Sequence, residues 1–127
     1  MKRIYISPLL FFVIMLLFAS CGQQHKAESL VENFLEEHLI EAKYLNSIEF
    51  HQLDSTYAIN DSIILNMHKR FIMNQKYKKG WVFGKKKKGQ KLMFIRVNYS
   101  INNHKYSDTY YINPEMTDVV AIKNNGL

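Results

Sequence analysis

The chain has 127 residues, 47% of them hydrophobic and 22% charged, with a formal net charge of +6, long enough for one domain and too short for two ordinary ones. That apolar content excludes a wholly disordered chain. Five glycines and a single cysteine exclude a collagen and a disulfide-knit scaffold.

Residues 1–20 open on Met1-Lys2-Arg3 and continue as an apolar run from Ile4 to Ala19, broken only by Ser7 and Pro8. That is the pattern of a signal peptide. A retained transmembrane helix is the rival reading, but it needs about 20 apolar residues to cross about 30 Å of hydrocarbon; this run is shorter and ends in small residues. It closes as Leu17-Phe18-Ala19-Ser20-Cys21-Gly22, which resembles a bacterial lipobox of the looser Bacteroidetes type. The resemblance implies that Cys21 becomes the lipidated first residue, its thiol forming a thioether to diacylglycerol. The bilayer is then a partner through acylated Cys21, and a protein so held is anchored and peripheral, since two or three acyl chains hold stably where one does not. Gly22-Gln23-Gln24-His25-Lys26 lacks the acidic run that surface-bound lipoproteins of this type carry, so the expected address is the cell envelope, at the periplasm-facing side of the outer membrane.

Residues 21–26 read as lipidated Cys and tether, and 27–127 as one domain. From Ala27, apolar residues at Leu30, Val31, Phe34, Leu35, Leu39, Ala42 and Leu45 recur every three or four positions, predicting a helix of about 19 residues. Glutamates take its other face. Ile48 to Leu53 alternates as a strand, and Asp61 and Ser62 are placed to cap a second helix with Ile64, Met67, His68 and Phe71 on one side. Residues 71–77 either extend that helix or open a strand; the reading favours a strand from about Ile72.

Leu92 to Ile101 is the clearest strand, with Met93, Ile95, Val97, Tyr99 and Ile101 on one face and Arg96, Asn98 and Ser100 on the other. Asn102-Asn103 reads as a tight turn, because Asn tolerates positive φ. Tyr106 to Ile112 follows as its partner, Asn113-Pro114 turns the chain, and Val119 to Ile122 is a short last strand. Helix first and meander after predicts an α+β domain, its N-terminal helix packed on an antiparallel meander sheet of about four strands. Leu30, Phe34, Leu35, Phe50, Ile95 and Val97 are the expected core. The segments SLVENFLEEHL and SIEFHQLDSTY, within Ala27 to Tyr57, resemble small Bacteroidetes-type lipoproteins. The element order is similar to cystatin-like or nuclear-transport-factor-like domains; neither likeness implies a settled activity.

Charge is unevenly spread. Residues 61–105 hold twelve Lys or Arg against one Asp, and no carboxylate interrupts the stretch from Lys69 to Lys105. Its peak is Lys85-Lys86-Lys87-Lys88, which reads as a glycine-bounded hairpin tip with Trp81 and Phe83 beside it. Such a tip is the candidate contact with anionic lipid or an acidic protein partner; the plainer reading is a solvated tip that keeps an edge from aggregating. Nucleic acid is set aside as a partner, because an exported lipoprotein rarely meets it.

No catalytic residue, metal ligand or cofactor is assigned. His25, His38, His51, His68 and His104 show no paired ligand spacing. Gly80-Trp81-Val82-Phe83-Gly84-Lys85 is one residue short of a phosphate loop and lacks the hydroxyl that follows its Lys. Glu49 with Asp54 or His51 would make an acid/base pair, but these read as solvent-facing strand residues. Tyr99, Tyr106, Tyr110 and Tyr111 read as cover for the sheet, and Asp54-Ser55-Thr56 and Asp61-Ser62-Ile63 resemble a short O-glycosylation acceptor motif. The expectation is a non-enzymatic binding or structural module; the alternative is a nuclear-transport-factor-like enzyme or small-ligand binder using a helix-to-sheet cleft.

Overall fold

The computed structural model describes the backbone of residues 8–126 and the side chains of residues 22–126. The expected signal peptide and the Cys21 thiol fall outside the described side chains. Among the described residues, no helix is long and apolar enough to cross a membrane.

Helix α1 is Pro8–His38 and helix α2 is Asp61–Ile72. The strands are β1 (Leu45–Phe50), β2 (Asp54–Thr56), β3 (Leu92–Ile101), β4 (His104–Ile112) and β5 (Val119–Asn124). They form one antiparallel sheet in the order β1-β3-β4-β5, with β2 pairing β3 beyond the end of β1, so the sheet has five strands rather than four. The α+β arrangement expected from the sequence is present: one stripe of α1, Ala27, Val31, Phe34, Leu35 and Leu39, is buried against Ile95, Val97, Tyr99, Tyr110 and Ile112 of the sheet. Leu30 and Phe50, expected in this core, are only partly buried at its margin. Among the described residues, the core runs from Ala27 to Ile122.

β3 starts and stops where its alternation does, and Ile101 pairs with His104 across a turn in which Asn102 and Asn103 have φ of 54° and 70°. Two successive positive φ values match the right-handed twist of the flanking strands. At the next corner Asn113 Oδ1 accepts from the backbone N–H of Thr117 and of Asp118, both at 2.9 Å.

Three local expectations are corrected. The helix does not begin at Ala27 or reach Leu45: residues 22–26 are already helical, α1 ends at His38, and a separate 3-10 turn occupies Ala42–Tyr44. The cap of α2 is Asn60, one residue earlier than expected, its Oδ1 accepting from Ile63 N at 2.9 Å. No strand opens at Ile72. The helix runs through it because Phe71 continues the Met67 face, and the chain then crosses to the end of α1, where Leu39 and Tyr77 form a single bridge flanked by Ile40 N→Lys76 O (3.0 Å) and Lys78 N→His38 O (2.6 Å).

Candidate functional site

Two concentrations of polar chemistry stand out, one closed and one open. The closed one is centred on Asp108 of β4, which is 0% exposed. Its Oδ2 accepts from Tyr77 (2.7 Å), from Tyr99, and from the Lys76 ammonium (3.0 Å). Tyr110 OH lies 2.7 Å from Tyr77 OH; with the Tyr77 proton spent on the carboxylate, Tyr110 donates to Tyr77. Lys76 also sits over the rings of Tyr106 and Tyr99, at 4.3 and 5.0 Å. Burial pushes the phenols of Tyr77, Tyr99 and Tyr110 well above their usual range, and the Asp108 charge adds to this. They therefore remain hydrogen-bond donors. Burial also lowers the Lys76 pKa against the pull of Asp108. With Tyr77, Tyr99 and Tyr110 buried, this cluster fixes the core, and only Lys76 and Tyr106 reach a hollow at its margin.

The expected reading of the tyrosines as packing holds for Tyr99 and Tyr110, but Asp108, Lys76 and Tyr77 were missed. The available signal was phase. Asp108 falls in step with Tyr106, Tyr110 and Ile112, on the inward side of the alternation.

The open concentration is the connection from α2 to β3. It is a loop, not the tip of a hairpin: β3 pairs only with β1, β2 and β4. Nor are Trp81 and Phe83 free to stand beside the lysines. Trp81 packs edge-on against Phe34 (4.7 Å between centroids) and against Phe83 (4.5 Å), Phe71 meets both rings, and Phe83 stacks on His68 at 4.3 Å and 4°. The Trp81 indole donates to Lys78 O at 2.7 Å, and the 2.8 Å contact of His68 Nε2 with Val120 O requires the proton on that nitrogen. Beyond the aromatics, Gly84 N donates to Val119 O at 2.9 Å, so close to the preceding turn that a Cβ on Gly84 would lie 2.6 Å from that of Asp118.

Lys85 to Lys88 follow this pin. Lys85, Lys87 and Lys88 are exposed and Lys86 is half-buried. Lys87 O accepts from Gln90 N (3.1 Å) across a turn in which Gly89 takes φ 72°, reached without steric cost only by glycine. Among the described residues the salt bridges are Lys76–Asp108 and His38–Glu37, and none involves Lys85–Lys88.

Between α2 and residues 78–86 lies an open groove of about 720 Å³. Its walls include Leu65, Ile72 and Val82, which are 55, 68 and 88% exposed, and Lys78, Lys79, Lys85 and Lys86 stand on its rim.

The remaining candidates do not come together. Glu49, His51 and Asp54 are all exposed; His51 meets Asn98 at 3.1 Å and Asp54 accepts from Ser55 N. His38 packs on Phe34 and Trp81, and burial lowers its pKa, opposed by Glu37 and aided by Lys78. Among the described residues no group of three or more His, Cys, Asp or Glu is placed to hold a metal.

No protein-family model, curated protein or solved structure matches this chain.

Proposed function

We propose that the chain is a lipid-anchored, non-catalytic binding module of the cell envelope, tethered through Cys21 and resting the Lys85–Lys88 loop on anionic headgroups. The observation that carries this reading is the placement of the two features. The Gln24 side chain accepts from Leu53 N (2.7 Å) and donates to His51 O (3.0 Å), which places the start of the mature helix beside the β1–β2 link. β2 pairs with the first residues of β3, Leu92 to Phe94, and the lysine loop runs directly into that end of β3. Tether and lysines thus share one end of the sheet, opposite the Asn102-Asn103 turn. An anchored domain in this attitude turns an unpaired basic surface toward the bilayer, where anionic lipid attracts each lysine within a Debye length.

In this reading the Asp108 cluster, whose Tyr77, Tyr99 and Tyr110 are buried, serves the core, and the exposed lysines of the loop serve binding. The likeness to small Bacteroidetes-type lipoproteins, and a periplasm-facing position on the outer membrane, belong to the same proposal.

The test is co-sedimentation of residues 22–127 with vesicles. Binding to anionic but not zwitterionic vesicles is expected, released between 0.1 and 1 M salt as screening shortens from about 10 to about 3 Å, and largely lost when all four lysines become Gln. Equal binding by parent and four-Gln variant, or none by either at low salt, overturns the contact; retention on acidic protein surfaces alone would make the partner a protein. Separately, Cys21→Ala in the full chain is expected to abolish fatty-acyl labelling, and labelling that persists overturns the anchor.

A further inference from the structure

We infer that the groove between α2 and residues 78–86 binds one long-chain fatty carboxylate, its tail along Leu65, Ile72 and Val82 and its carboxylate at Lys78 and Lys79. This goes beyond bilayer contact and does not depend on it. The size fits: about 720 Å³ lies within the range of small-molecule sites, and the twelve residues of α2 give it a length of about 18 Å. Three exposed aliphatic side chains on the walls of one groove are also what a monomeric domain avoids without a use for them.

The chemistry of the walls selects the occupant. The ring donors that line the groove are already committed, Trp81 Nε1 to Lys78 O and His68 Nε2 to Val120 O. Asn74 Oδ1 is likewise taken, by Lys76 N. The remaining donors among the side chains discussed stand on the rim, at the lysines, which suits an occupant with one anionic end and a hydrocarbon tail better than a peptide with amides along its whole length. The rim decides the sign and direction of the head. Asp61 is the one carboxylate on the lining, and it sits with Lys86 at the far end, where both border a neighbouring hollow with Asn60. Lys78 and Lys79 at the other end have no acid among the lining residues, so a carboxylate is held there without a competing charge.

The protein supplies its own probe, because Trp81 is the only tryptophan and lines the groove. Dibrominated stearate, titrated below its micelle concentration into residues 22–127, is expected to quench Trp81 fluorescence saturably at one molecule per chain, with unlabelled stearate competing. Leu65→Glu with Ile72→Glu is expected to weaken binding by about tenfold or more, since each side chain contributes on the order of a tenfold apolar term. Circular dichroism checks the fold, and Val82→Glu, at a still more exposed position, gives the same readout should the double variant not fold. Lys78→Gln with Lys79→Gln is expected to weaken binding roughly three- to tenfold and to remove its salt dependence. Quenching that never saturates, that is unchanged in the Glu variants, or that stearyl alcohol reproduces as strongly as stearate overturns the proposal. So does sedimentation showing a dimer that closes the groove. Changing Lys87 and Lys88, which do not line the groove, to Gln should leave stearate binding intact while weakening vesicle docking, so failure here and failure of vesicle docking are told apart.

Discussion

Lys76 and Lys85–Lys88 are the same residue type in one basic segment, yet the fold treats them in opposite ways. Lys76 is half-buried, its side chain bonded to Asp108 and caged by Tyr77, Tyr99 and Tyr106. Of the four loop lysines Lys85, Lys87 and Lys88 stand in solvent and Lys86 is half-buried, and none has a carboxylate partner among the described residues. The comparison separates charge that organises a core from charge kept available for something outside the molecule, and composition alone does not distinguish them.

The largest expected effect comes from breaking the closed side. Asp108→Ala leaves the Lys76 ammonium without its counter-ion and the Tyr77 and Tyr99 hydroxyls without their shared acceptor; a loss of about 3–5 kcal/mol is expected in urea denaturation, a large share of the roughly 5–15 that holds a domain. The four-Gln variant of the loop should leave the same midpoint in place. If Asp108→Ala is as harmless as the loop variant, the two sets of charges do not differ as described.

A middle-sized effect tests the pin between the regions. Gly84→Ala places a methyl against Asp118, and overpacking of this kind costs about 1–3 kcal/mol; vesicle binding should fall with it, because the loop is displaced. Stability unchanged in thermal unfolding would mean that the Asp118 turn simply moves aside.

The smallest effect is a pH dependence from His38. Burial holds its folded pKa below the ordinary 6.5, so the unfolded chain binds the proton more readily and stability declines as pH falls below 6.5 toward the folded value. His38→Phe is expected to flatten that part of the curve between pH 7 and 5, measured by denaturant midpoints; an unaltered slope would assign it to another group.

Local rules explain what was legible in the sequence. β3 is bounded by its own alternation, the Asn102-Asn103 turn by two residues that accept positive φ, and the α1 stripe by spacing of three and four. What was hidden depended on partners far along the chain. Asp108 looks like any polar residue in a strand until Tyr77 and Lys76, 31 and 32 positions away, arrive to satisfy it. Residues 71–77 misled for a related reason: the pull of Tyr77 toward the core resembles strand alternation, although the segment between it and Ile72 only returns the chain to α1. The lysine run was visible at once, whereas the facing wall of the groove, supplied by Leu65 and Ile72 of α2, emerges only when helix and loop are placed side by side.

The Gln24 clamp has a mechanical consequence for an acylated chain. Only Gly22 and Gln23 lie between Cys21 and Gln24, a reach of about 10 Å even fully extended. If Cys21 is acylated as proposed and the clamp stays closed, the domain would have almost no slack with which to tumble: it would move in two dimensions as a mounted body, within a shell about a nanometre deep rather than the volume a long disordered linker would sweep. Entropy lost to orientation would then be spent before any ligand arrives, so that the proposed carboxylate, leaving the adjacent leaflet, would meet a groove already held at a fixed height and angle above it.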